Sequence, residues 1–268
     1  MRTAIRRTAA RRSAVRRTAV AVTVASLALV VTACGSSGTS TDEKAEAGTG
    51  KAAASSAPAE PAARPLSAAE LEQLAVAQAD LPGYKVEDKL KNPPAEAGKA
   101  VSDKPACQPY ADAIAGVIGK PAAKALRSAV ALPKDAGTAQ TPEQKALAGL
   151  NALKSPATRV ILASYEGDKA AEHVLTLKNS GADCMQGFTV TQDGEKTKIK
   201  SMTPMTLDAG DEDSSWSFVM DMDGQPAEFN IALMSKGTTL ASFYTFSLGG
   251  SVKELPEPII DAQEKKLA

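Results

Sequence analysis

The chain has 268 residues, with 31 basic and 31 acidic side chains, one histidine, three cysteines and few aromatics (4%). Seven arginines (Arg2, Arg6, Arg7, Arg11, Arg12, Arg16, Arg17) lie in the first 33 residues, which hold no acid, so the remainder carries about 24 basic against 31 acidic groups and a net charge near −7. That balance argues against nucleic acid as a partner, which needs clustered Lys and Arg. A single histidine leaves few parts for metal sites or charge-relay catalysis.

An uncharged run from Thr18 to Ala33 follows the arginines and ends in Val31-Thr32-Ala33-Cys34. A basic region followed by a short apolar one is the pattern of an export signal. Sixteen residues at about 1.5 Å each reach roughly 24 Å, short of the ~30 Å core that a permanent span must cross. Residues 1–33 therefore read as a cleaved signal peptide, with a short uncleaved signal anchor as the alternative. The V-T-A-C end resembles the lipobox of bacterial lipoproteins. The resemblance implies that Cys34 is the lipidation site and the mature N-terminus, carrying a diacylglyceryl group. At about 0.8 kcal/mol per buried CH₂, two or more acyl chains anchor stably. The expected location is the outer face of the cell membrane, with the membrane as partner through the lipid. The paired arginines also suit twin-arginine export, but none sits in a full motif, so the route stays open.

From Gly35 to Pro65 there is no Val, Ile, Leu, Met or aromatic residue. Nothing there can offset the entropy of ordering, so 34–65 reads as a disordered tether spanning on the order of 30 Å. A single domain is expected over 66–268. Ser67 and Glu70 have capping-box spacing for a helix over 67–79, and Tyr84 to Leu90 reads as a strand. A polar loop from Lys91 to Ala106 leads to a helix carrying Tyr110, Ala113, Ile114 and Val117. Leu126 to Leu132 reads as strand. Thr141 and Pro142 start a helix with Leu147, Leu150 and Leu153 placed inward.

Thr158 to Tyr165 is the next strand, and Asp168 starts a helix whose Ala171, Val174 and Leu175 are expected to face the core. Phe188 and Val190 alternate up to the turn pair Asp193-Gly194, and Lys198 to Leu207 returns. Trp216, Phe218, Met220 and Met222 alternate with the period of a strand with one buried face. Phe229, Ile231 and Leu233 do likewise after Asp223-Gly224, and Leu240 to Leu248 follows Lys236-Gly237. A helix from Pro256 carries Ile259, Ile260 and Leu267. The fold class is α+β: an antiparallel meander sheet flanked by helices.

With Cys34 lipidated, Cys107 and Cys184 remain, and in an exported chain an isolated pair is most simply a disulfide. The absence of C-x-x-C makes a structural role the expectation over a redox one. Cys107-Gln-Pro-Tyr110, Ser164-Tyr-Glu-Gly-Asp-Lys-Ala-Ala171 and Asp183-Cys184-Met-Gln-Gly-Phe188, with the Trp216 strand and an amphipathic C-terminal helix beyond, resemble the PknH-like extracellular sensor domain over roughly 66–268. The resemblance implies an antiparallel sheet flanked by helices, with a cleft for an extracytoplasmic ligand. It also implies a second disulfide, which this chain lacks the cysteines to form.

Other candidates are weaker. His173 stands alone in a helix. Asp208, Asp211, Glu212 and Asp213 suggest calcium by composition but lack the D-x-D-x-D-G loop. Asp221, Asp223 and Gly224 are ordinary turn chemistry. Met202, Met205, Met220, Met222 and Met234 read as core filler, or alternatively as an adaptable apolar pocket. No G-x-S-x-G, S-x-x-K or H-E-x-x-H is present, so neither catalytic residues, cofactor nor metal are expected. The leading expectation is a non-catalytic, membrane-anchored binding domain for a small-molecule, lipid or protein ligand. The alternatives are a cell-envelope hydrolase working with two acids and a partner-binding surface protein.

Overall fold

The structure, a computed structural model, describes residues 63–88, 99–133, 141–222, 224–249 and 251–268. Along them run helix α1 (Ala68–Leu74), strands β1 (Tyr84–Glu87) and β2 (Ala100–Ser102), helix α2 (Gln108–Ala115), β3 (Ala123–Ala131) and α3 (Pro142–Lys154). Then come β4 (Ala157–Ser164), α4 (Lys169–Cys184), β5 (Phe188–Gln192), β6 (Glu195–Pro204), β7 (Glu212–Met222), β8 (Gln225–Lys236), β9 (Thr239–Phe246) and α5 (Glu257–Leu267). Nine strands pair antiparallel in the order β1-β3-β4-β9-β8-β7-β6-β5-β2, so the fold is α+β as expected.

The meander β5 to β9 follows from short turns. Gln192 pairs with Glu195 around Asp193 (φ 52°) and Gly194 (φ 86°), the double left-handed turn that suits a hairpin's twist. Asp223, assigned to the next turn, lies outside the described residues. The remaining strands are split between the two edges. β4, β3 and β1 continue from β9, while β2 pairs with β5 at the opposite edge. β2 was unexpected: three residues, Ala100–Ser102, inside what reads as a polar loop.

Both faces of the sheet are covered. On one, α2 and α4 pack Tyr110, Leu177 and Cys184 against Trp216, Phe218 and Phe229. On the other, α1 and α5 pack Leu71, Ile259 and Ile260 against Leu162, Met234 and Phe243. β8 is therefore buried without a break from Phe229 to Ser235 instead of showing one buried face. Its second face carries Asn230, Ala232 and Met234, too mixed a set to signal burial by hydropathy.

Three expectations need correction. Helix α1 ends at Leu74, because Ala75 is extended (ψ 144°), and a separate 3₁₀ turn covers Gln78–Asp80. In α4 the inward stripe is Ala170, Val174, Leu177, Gly181 and Cys184; Leu175 is exposed. Most clearly, Leu147, Leu150 and Leu153 of α3 are 60%, 58% and 56% exposed and do not point into the core. Periodicity finds a helix and its apolar face but carries no information about whether another element covers that face.

The expected cap on α1 is present. Ser67 Oγ accepts from the Glu70 amide, and the Ser67 amide donates to Glu70 Oε2 at 2.8 Å. The Arg64 guanidinium, 2.6 Å from Glu70 Oε1, and these Ser67 bonds hold the Glu70 carboxyl down at about 2. Because the folded value lies below the ordinary 4.5, the cap's contribution is complete above about pH 4.5 and is lost as the pH falls toward 2. Exchange of the Ser67 amide, which donates to the Glu70 carboxylate, is expected to accelerate over that window in the wild type, whereas Glu70→Gln makes it independent of pH there once intrinsic exchange is corrected for.

Candidate functional site

On the face covered by α1 and α5, the inward positions of the central strands are apolar: Val160 and Leu162 of β4, Ala232 and Met234 of β8, Ala241 and Phe243 of β9. At one end of that face the pattern breaks. Asn230, Thr245 and Thr158 stand side by side in register across β8, β9 and β4 and are only 0%, 2% and 1% exposed. The two threonine hydroxyls lie 3.0 Å apart, so one donates to the other. Between them one proton and several lone pairs are left for another partner. Asn230 Nδ2 donates to the Glu254 carbonyl at 2.8 Å, while its Oδ1 is buried without a partner.

Residues 251–256, between β9 and α5, cross this end of the sheet as a strap. The Val252 amide donates to the Glu228 carbonyl at 3.3 Å, and Pro256 leads into α5. Between strap and sheet lies a pocket of about 540 Å³, within the ~300–1,000 Å³ range of small-ligand sites. Thr158 and Thr245 form its polar floor; Tyr84, Ala131, Pro156 and Pro258 contribute its sides, and the strap supplies the remainder. Partial burial raises the Tyr84 hydroxyl above its ordinary value, so it stays protonated. Lys253 and Glu254, both exposed, place one charge of each sign on the lining.

The pocket's position within the domain follows from β4. The Leu66 amide donates to Ser164 Oγ at 2.7 Å, which puts the chain's arrival at the sheet at the C-terminal end of β4. Thr158 lies six residues away, roughly 20 Å at strand rise. The pocket is thus at the end of the strand remote from that arrival.

None of the residues singled out in the sequence lines this pocket. Cys34 lies outside the described residues. Cys107 and Cys184 are bonded to each other and fully buried, joining the start of α2 to the end of α4. His173 is half-buried on α4, with its ring 4.9 Å from that of Tyr165 and packed on the Gly119 backbone. Burial lowers its pKa. Tyr165 in turn donates to the Ile118 carbonyl, which makes this group a brace for the turn after α2.

Asp211 accepts from Lys236 Nζ at 2.9 Å and from the Gly237 amide at 2.8 Å, tying the β6–β7 connection to the β8–β9 turn. Those bonds hold its carboxyl below the usual range. Asp221 pairs with Lys200 at 2.9 Å and accepts from the Gly224 amide. Among the described residues no group of three or more His, Cys, Asp or Glu side chains is placed to hold a metal. Met202 and Met234 are buried on opposite faces and Met222 is exposed. The methionines therefore form no common pocket. Of the pocket-lining residues only Glu254 carries a carboxylate, so the paired acids of a glycosidase have no counterpart there.

What sequence reading missed is the polar row. Thr158 and Thr245 sit at inward positions of otherwise apolar strands, and that parity was a signal. Only the register shows that they meet.

Among the described residues no helix is long and apolar enough to cross a membrane. No protein-family model matches the sequence, and no curated protein is similar to it. Among solved structures the chain is similar to the extracellular domain of PknH from Mycobacterium tuberculosis, at 12% identity and a TM-score of 0.48, over 76% of this chain and 97% of that one.

Proposed function

We propose that the protein is a lipid-anchored lipoprotein presenting a non-catalytic, sensor-like binding domain outside the cell membrane. Cys34 is the anchor, 35–65 the tether, and the pocket beneath 251–256 the ligand site. The observation that carries the reading is the pocket itself. A buried polar row with unspent hydrogen-bonding capacity interrupts an apolar face, at the end of the domain remote from where the tether joins. Buried polar groups are normally paired, and a bound polar ligand would take up the spare hydrogen-bonding capacity of Thr158 and Thr245, which line the pocket. The Cys107–Cys184 bond suits an oxidising compartment. The chemistry is capture: hydroxyls of Thr158, Thr245 and Tyr84 orient the ligand while prolines pack its apolar surface.

Native mass spectrometry of the chain purified from the cells that make it tests the binding half. A retained small-molecule mass is expected in the wild type, and Thr245→Leu, which removes a hydroxyl and fills the floor, is expected to lose at least nine-tenths of it. Absence of any retained mass, together with no thermal shift across a panel of small polar metabolites, would overturn the reading.

A further inference from the structure

Helix α3 is set up locally and then left uncovered. Thr141 closes a capping box at its start, and Ser247 Oγ donates to the Lys154 carbonyl at 2.9 Å where it ends. Between those two fixings no residue of α3 is buried. A helix of 13 residues is marginal in water unless its apolar face is covered. Leu147, Leu150 and Leu153 form that face, and each is more than half exposed. Two further leucines stand at the same end of the sheet. Val130 pairs with Ala157 and Ala157 with Phe246, so the end of β3, the start of β4 and the end of β9 are level. Leu132 follows β3 and Leu248 follows β9, at 49% and 77% exposed, and α3 joins β3 to β4. None of the five lines the pocket beneath 251–256 or the smaller hollows beside α2 and α5. They project as separate apolar points, which suits a soft apolar phase better than a partner helix seeking a groove.

We infer that this end of the domain docks on the lipid surface, with α3 lying in the headgroup boundary and its leucines turned toward the acyl chains. The inference rests on the reading of Cys34 as a lipid anchor. Tethering favours a weak second contact most when the root-mean-square span of the tether matches the distance to be bridged. The chain reaches the sheet at Ser164, seven strand steps, or roughly 23 Å, from Ala157 at the leucine end. Residues 35–65 span on the order of 30 Å, so the anchor that holds the domain also lets this end come down on the bilayer. Charge does not drive the contact. Helix α3 carries Glu143 against Lys145 and Lys154, and the chain beyond residue 33 is net acidic, so docking depends on apolar area and occurs on uncharged lipid. The pocket beneath 251–256 lies at the same end, and docking sets it beside the headgroups.

The test places Leu150→Trp in the membrane-extracted protein and reconstitutes it on phosphatidylcholine vesicles with and without brominated acyl chains. Leu150 is exposed, so the substitution leaves the core alone, and the buried Trp216 serves as the internal reference. The added emission is expected to shift to shorter wavelength and to lose at least half its intensity on the brominated vesicles, while wild-type emission stays unchanged. Leu147→Ser with Leu153→Ser in the same chain is expected to restore the intensity, the fold being checked by circular dichroism. A chain that floats with the vesicles but shows no quenching would overturn the docking inference and leave the anchor reading intact. A shift without quenching that grows with protein density would put a second copy on α3 and overturn it equally. A chain that fails to float would overturn the anchor reading, and the inference with it.

Discussion

Replacing both Cys107 and Cys184 by alanine is expected to lower the domain's stability by about 4 kcal/mol, read from urea unfolding midpoints. The bond closes a loop with a sequence separation of 77, and in the chain-entropy treatment a loop of that length restricts the unfolded chain by roughly this amount. The loss is also local. Cys107 ends the turn that connects edge strand β2 to α2, and Cys184 ends α4. Beside the bond, Tyr110 donates to the Leu177 carbonyl at 2.6 Å, so one cross-link and one buried hydrogen bond set α2 against α4. Without the cross-link, β2, held by three register pairs to β5, is expected to lose amide protection first. Reduction of the wild type should reproduce the variant's midpoint; an unchanged midpoint in both would show that the bond constrains nothing in the unfolded chain.

Gly181→Ala is expected to cost about 3 kcal/mol, the upper part of the range for forcing extra volume into a packed core. A Cβ at this position on α4 would lie 2.1 Å from Trp216 Cη2 and 2.4 Å from Cζ2. The indole cannot simply retreat. Its Nε1 donates to Ser214 Oγ at 2.9 Å, and its ring meets Tyr110 edge-on at 5.6 Å. Helix and strand must therefore separate, and emission from Trp216, the chain's one tryptophan, should move to longer wavelength. Gly149→Ala supplies the control. In α3 nothing lies within 4 Å of the added Cβ, so alanine's better helix propensity should stabilise that helix by up to about 1 kcal/mol. The same substitution in two helices thus carries opposite signs, set by what the absent methyl would touch. Equal effects at the two sites would contradict the packing described.

The parts legible in the sequence were those set locally. Ser67 and Glu70 announced the α1 cap, Asp193-Gly194 announced the β5–β6 turn, and the alternation of Trp216 and Phe218 announced an inward strand face. These features depend on residues within a few positions of one another. What was not legible depends on partners far along the chain. Ala100–Ser102 is a strand only because β5 offers an edge to pair with, and its three residues carry no periodicity. Leu147, Leu150 and Leu153 trace a helical face correctly, yet among the described residues that face stays exposed. The pocket is the clearest case. Thr158, Asn230 and Thr245 come from three strands, each looking like a lone polar residue in an apolar run, and only the register sets them in one row. The residues that drew notice by type, His173 and Asp211, serve packing and a turn.

The claim that the chain is held outside the membrane by Cys34 is tested most directly by intact mass measurement of the membrane-extracted protein, beside its Cys34→Ala variant. The account predicts a mature chain beginning at Cys34 with a diacylglyceryl group, a variant lacking that lipid mass, and Cys107 and Cys184 that resist alkylation until reduced. A mass that retains residues 1–33, or a membrane-bound chain with an unmodified Cys34 thiol, would contradict it.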